Sequence, residues 1–302
     1  MTDRRLAVLD APSNLGLRPP EPGSVPGCYK LPWALRDRNL VASIDATDAG
    51  ALVPPRYRAE WHPGDGTRNA AAIAAFSTQL ADRLGALIEA ERLPLVLGGD
   101  CSILVGNTLA LKRRGRYGLV YIDAHSDFRH PQNAPAIEAA AGEDLAIVTG
   151  RGDPRLINLE GCGPYVREAD VALLGVRDGD ECLPELAELD FTVITSGRVA
   201  EIGAEQAAAQ ALTTATGSTQ GFWIHLDLDV IDSAELPAVD SPEPNGLSFA
   251  TLAALLKPLL SSPACAGLEL TIYDPDLDPH GHYADRIMAF LGEVFGSTAP
   301  AG

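Results

Sequence analysis

The residues Asp123, Ala124, His125, Ser126 and Asp127 bring three potential metal ligands into one short stretch, directly after the apolar run Gly118, Leu119, Val120. That run, continued by Tyr121 and Ile122, reads as a buried strand. Along extended backbone the side chains at i, i+2 and i+4 share a face, so Asp123, His125 and Asp127 can converge on one point. Two carboxylates and an imidazole suit a divalent ion of the manganese, iron, cobalt or zinc group. Taken alone, the pattern is equally a polar turn after a core strand. A second cluster, Asp227, Leu228, Asp229 and Asp232 after the run Phe222 to Leu226, shifts the balance. Asp227 and Asp229 again share a face at a strand end, and acids that close repel unless a cation lies between them. Two such clusters point to a dinuclear site with bridging carboxylates and an activated water.

The elements that must position these side chains show as alternating patterns. Strand-like apolar runs fall at 6–9, 39–44, 94–97, 118–122, 171–176, 191–195, 222–226 and 267–273. Helix-like segments lie at 67–92, 103–114, 183–189, 198–214, 248–260 and 283–295, and loop-rich stretches at 10–36 and 128–165. Strand alternating with helix predicts an α/β fold in which a mostly parallel sheet of about eight strands is covered by helices on both faces. In such sheets ligands bind outside the carboxyl ends of the strands. Asp10, the stretch Gly98-Gly99-Asp100-Cys101-Ser102, the run Asp123 to Asp127, the stretch Arg177 to Asp180 and the pair Asp227 and Asp229 all follow strand-like runs. The chain therefore reads as a single domain over residues 1–302 with its chemistry gathered on one rim.

Bulk properties narrow the partners. With 41 acidic against 23 basic residues, the long-range field repels phosphates and disfavours nucleic acid or an anionic membrane. No apolar run approaches membrane-spanning length and the N-terminus lacks a signal pattern, so a cytoplasmic location and a small-molecule substrate are expected. The five cysteines, at 28, 101, 162, 182 and 265, show neither a disulfide framework nor a zinc-type spacing.

Gly98-Gly99-Asp100-x-Ser102, Asp123-Ala124-His125-x-Asp127 and Asp227-x-Asp229-x-x-Asp232, in that order, resemble the arginase/agmatinase (ureohydrolase) family. The resemblance implies a three-layer α/β/α fold, a homo-oligomer of trimer or hexamer type, and two divalent ions, manganese, that hydrolyse a guanidino or related C–N bond. It places one ion on position 101 with Asp123, Asp127 and Asp227, and the other on His125, Asp123, Asp227 and Asp229, with Asp123 and Asp227 bridging. A bridging water of lowered pKa would attack the guanidino carbon, and Asp127 would pass its proton to the leaving nitrogen.

The departures carry as much information as the match. The family's first histidine ligand is Cys101 here, either a thiolate ligand or a small buried filler. The histidine expected in the loop after the central motif is matched by Ala141, leaving Glu143 and His130 as proton carriers. Arg129 replaces the usual asparagine and resembles formimidoylglutamases; its fork would suit a substrate carboxylate, and it is otherwise a surface arginine. Asp180 matches the acid that contacts the substrate amino group. The acid that holds a guanidinium should fall near Leu270-Thr271-Ile272 but is absent, while the adjacent Glu269 points away from Leu270. His225 reads as a satisfied core or interface histidine. The change to Cys101 and the lost acid and histidine favour a substituted guanidine such as N-hydroxy-arginine, with formimidoylglutamate hydrolysis, on Arg129, or a non-catalytic binding protein of this fold as the alternatives.

Overall fold

The computed structural model describes residues 5–134 and 136–296. Its centre is one eight-stranded sheet with strands β1 Leu6–Asp10, β2 Thr47–Ala51, β3 Leu93–Leu97, β4 Gly118–Ile122, β5 Val171–Leu174, β6 Thr192–Ile194, β7 Phe222–Asp227 and β8 Cys265–Thr271. The order across the sheet is β2-β1-β3-β8-β7-β4-β5-β6, and all neighbours run parallel. Parallel strands need helical crossovers on both faces, so inner strands must be apolar on both sides. Every residue of β1, β3, β4, β5, β7 and β8 is buried.

Alternation along the strands divides the core into two layers. Leu95, Leu97, Val120, Ile122, Ile224 and Leu226 pack with helices Ala204–Thr216, Phe249–Ser261 and His282–Phe295. Val96, Leu119, Tyr121 and Trp223 face the other way, onto helices Ala70–Glu89, Leu104–Lys112 and Asp144–Val148. This is the expected three-layer α/β/α arrangement.

Local expectations differ from the structure at several places. The run 39–44 is not a strand: Asn39 takes a left-handed conformation and starts a single helical turn, Leu40–Ser43, whose Leu40 enters the core. The second strand is instead Thr47–Ala51, polar and largely exposed because it edges the sheet. The segment 198–214 is two helices, Ser196–Ile202 and Ala204–Thr216, separated by Gly203 at φ +84°. The loop-rich stretch 128–165 contains the helix Asp144–Val148, which is fully buried.

Candidate metal centre

Four adjacent strands, β3, β8, β7 and β4, end at one place. The turn after β3 is possible only with glycine at position 99, since a Cβ there would lie 1.7 Å from the Ser13 carbonyl oxygen. Asp100 then ties the turn to the loop after β1, accepting hydrogen bonds from Ser13 Oγ at 2.8 Å, Ser102 N at 2.8 Å and Gly16 N at 3.1 Å. Cys101 is thereby delivered, buried, to the ends of β7 and β8. Its Sγ stands 2.7 Å from Asp227 Oδ2 and 3.3 Å from Thr271 Oγ1.

Each carboxylate of the cluster spends one oxygen on the backbone and turns the other inward. Asp123 Oδ1 accepts from His125 N at 2.7 Å, Asp227 Oδ1 from Asp229 N at 2.8 Å, and Asp229 Oδ1 from Ala124 N at 3.2 Å. The inward Asp229 Oδ2 lies 3.0 Å from His125 Nδ1, and Asp123 Oδ2 lies 3.7 Å from His225 Nε2. Among the described residues two groups have donor atoms within 4.8 Å of one another: Cys101, Asp123, His225 and Asp227, and Asp123, His125 and Asp229. Asp123 belongs to both, as a bridging carboxylate must.

The electrostatics call for cations. Burial pushes Asp227 and Asp229 above the usual carboxylate range, and neighbouring acids push them further, Asp229 and Asp123 on Asp227 and Asp123 on Asp229. Burial also acts on Asp123, but His125 and His225 outweigh it and hold that carboxyl down. Burial and then Asp227 push the Cys101 thiol up. A divalent ion would relieve the repulsion among these buried acids, and sulfur, imidazole and carboxylate donors suit transition metals. Asp123 Oδ2 and His225 Nε2 are buried with no hydrogen-bond partner, as donors reserved for an ion would be.

A sequence model for the arginase family matches residues 26–296 of this chain. The chain belongs to the arginase family. It is 27% identical to an arginase of Staphylococcus aureus across 98% of both chains, and 29% identical to one of Bacillus caldovelox across 88% of this chain and 91% of that one. The solved Bacillus caldovelox arginase superposes with a TM-score of 0.86 at 26% identity, covering 98% of this chain and 100% of the other. A proclavaminate amidino hydrolase from Streptomyces clavuligerus shares the fold at 21% identity, with a TM-score of 0.70 over 97% of this chain and 90% of that one. As a member of this hydrolase family the chain is an enzyme, and the donor cluster occupies the strand ends expected for its chemistry.

Asp127, Arg129, Glu143 and Asp180 border a cavity of about 670 Å³ above the cluster, which His125, Asp227, Asp229 and Ile272 also line; His130 lies outside it. Asp127, at φ +44°, accepts the Tyr121 hydroxyl at 2.9 Å and lies outside the two close donor groups. Glu143 accepts from Thr67 Oγ1 at 2.8 Å and from the backbone N–H groups of Glu138 and Ala139 at 2.5 and 2.9 Å, so its carboxylate holds the 138–143 loop. Asp180 accepts from Ser126 N at 3.0 Å, Ser126 Oγ at 2.8 Å and Cys182 N at 2.9 Å, fixing the central motif against the loop after β5. Arg129 is half-exposed and donates to Glu181 at 2.6 Å. His130 is bound between Gln132 and Glu185, at 2.8 and 3.0 Å.

His225, expected to be a satisfied core or interface histidine, is a core histidine with only one ring nitrogen partnered. His225 is fully buried, stacks on Tyr121 with centroids 4.4 Å apart, and donates from Nδ1 to Glu269 at 2.6 Å, while Asn107 donates to the other oxygen of Glu269. His225 and Asp227 are two apart on one strand and so share a face. Glu269 does point away from Leu270, into the layer beneath the cluster.

Proposed function

We propose that this arginase-family hydrolase cleaves the C–N bond of a substituted guanidine, N-hydroxy-arginine being the favoured substrate. The observation that carries this reading lies at the end of β8. An unmodified guanidinium needs a carboxylate there, but Thr271 Oγ1 is turned away onto Cys101 and Leu226 O, and Ile272 presents an apolar wall to the cavity. An N-hydroxyguanidine is a weaker base than a guanidine and is less dependent on an ionic partner. The wall therefore discriminates against the fully charged substrate.

Cys101, Asp123, Asp227, Asp229 and His125 are the proposed ligands of two divalent ions, with Asp127 at the cavity edge; the family resemblance points to manganese and a homo-oligomer, and the sequence patterns to a single cytoplasmic domain. When bound, the ions supply Lewis acidity and an activated water. The remaining work falls to the chain. In this reading Asp180 and Arg129, which line the cavity, meet the amino and carboxylate ends of an amino-acid substrate, with Arg129 exchanging Glu181 for the incoming carboxylate. In the same reading Asp127, which accepts the Tyr121 hydroxyl, carries to the leaving nitrogen the proton that the nucleophilic water loses. Oxygen joins the guanidino carbon, the bond to the alkyl nitrogen breaks, and the products are hydroxyurea and the amine.

The test is a comparison of N-hydroxy-arginine, arginine and formimidoylglutamate with the manganese-loaded protein, detecting hydroxyurea, urea and formamide. The expected result is a higher kcat/KM for N-hydroxy-arginine. Faster release of urea from arginine, or of formamide from formimidoylglutamate, overturns the assignment.

A further inference from the structure

We infer that His225 is itself a ligand of the ion beside Cys101, and that Glu269 and Asn107 are positioning residues that hold its ring for that purpose. The inference rests on the dinuclear reading above and adds a ligand from the rung below Asp227. Three observations converge. His225 Nε2 is fully buried, has no hydrogen-bond partner, and points into the group formed by Cys101, Asp123 and Asp227. It stands 3.7 Å from Asp123 Oδ2, also unpartnered, too far for a hydrogen bond. Two donors that bind one ion at about 2.0–2.3 Å stand roughly 3–4 Å apart, so the separation fits a shared ion.

The far side of the ring is built for the same end. Nδ1 donates to Glu269 Oε1 at 2.6 Å, which fixes the tautomer and leaves the Nε2 lone pair directed at the cluster. Asn107, on helix Leu104–Lys112, donates to the second oxygen of Glu269, and Tyr121 stacks on the imidazole face. The register makes this arrangement rigid: Tyr121, His225 and Glu269 are lateral neighbours on β4, β7 and β8. A histidine wanted only for packing would not need a buried glutamate and asparagine behind it.

The experiment loads the full-length protein with cobalt(II), measures metal per chain, and records proton NMR in water for hyperfine-shifted, exchangeable imidazole N–H signals. Two such signals are expected from wild type, one each from His125 and His225. His225→Gln should lose one and His125→Gln the other. Glu269→Gln should keep the His225 signal at a changed shift and weaken cobalt binding about 10–100-fold. Wild-type protein holding two cobalt ions with a single shifted N–H, or both signals surviving in His225→Gln, overturns the inference and leaves the dinuclear reading standing. Should His225→Gln fail to fold, the wild-type and His125→Gln spectra decide alone. Failure to take up cobalt at all overturns both.

Discussion

Cys101 Sγ and Asp227 Oδ2 lie 2.7 Å apart although Cys101 follows β3 and Asp227 ends β7, two strands separated in the sheet by β8. Burial and the Asp227 charge favour the protonated thiol, so metal must displace a proton from sulfur, and affinity should rise with pH. Cobalt-loaded wild type is expected to show a sulfur-to-metal charge-transfer band. In Cys101→Ser the band should vanish and affinity should fall about tenfold or more, on the order of 1.4 kcal/mol. An unchanged spectrum and metal content would make Cys101 a buried filler.

The apolar wall at the end of β8 gives a prediction about specificity. Ile272 sits at φ +75°, an uncommon conformation for a β-branched residue and a form of strain found at functional sites. Ile272→Glu places a carboxylate against the cavity. It should raise kcat/KM for arginine about tenfold, near 1.4 kcal/mol, while N-hydroxy-arginine gains less. Steady-state kinetics on both substrates decide the point.

Arg129 and Glu181 form a second adjustable pair. If the substrate carboxylate competes with Glu181 for the guanidinium, Glu181→Gln should lower KM and Arg129→Ala should raise it, the latter by about 2 kcal/mol of lost charge-assisted contact. Both effects should fall mainly on KM, and equal kinetics in the two variants would remove Arg129 from the substrate site.

Acid stability depends on Asp278. Its Oδ2 accepts from Tyr273 OH at 2.8 Å and from Tyr283 N and Ala284 N at 2.9 Å each, fastening the start of helix His282–Phe295. Burial raises the carboxyl, but Ala284, Tyr273 and Tyr283 outweigh it and hold the folded value below the ordinary 3.8. A depressed folded value stabilises fully above pH 3.8 and is lost as pH falls through the folded value. Wild type should therefore lose stability below pH 3.8, and Asp278→Asn should show less of that loss. At neutral pH, Asp278→Ala should cost about 1–3 kcal/mol in urea unfolding.

Much of this was legible in the sequence because buried parallel strands are continuous apolar runs, and ligand spacing at i and i+2 fixes a face without reference to neighbours. That is how Asp123, His125, Asp227 and Asp229 could be grouped. Thr47–Ala51 was not legible, since an edge strand of small and polar residues has no pattern to distinguish it from a loop. Nor were the partners of Glu143, Asp180 and Arg129, which depend on loop contacts between distant segments. The support of His225 requires knowing that β8 lies beside β7, and no periodicity encodes strand order.

That strand order has a consequence for how the protein comes into being. β8 is the last strand to be synthesised, yet it separates two half-sheets, β2-β1-β3 and β7-β4-β5-β6. Cys101 follows one half, whereas Asp123, His125, Asp227 and Asp229 follow the other. Leu95 pairs with Leu268, and Leu226 with Leu270, so β8 is the seam that joins them. Pairings between such distant segments form slowly, after local structure. The thiol can meet Asp227 only when β8 slides into place, so sheet closure and assembly of the candidate site are one event, and a change that loosens the seam should cost metal binding even where both halves stay folded.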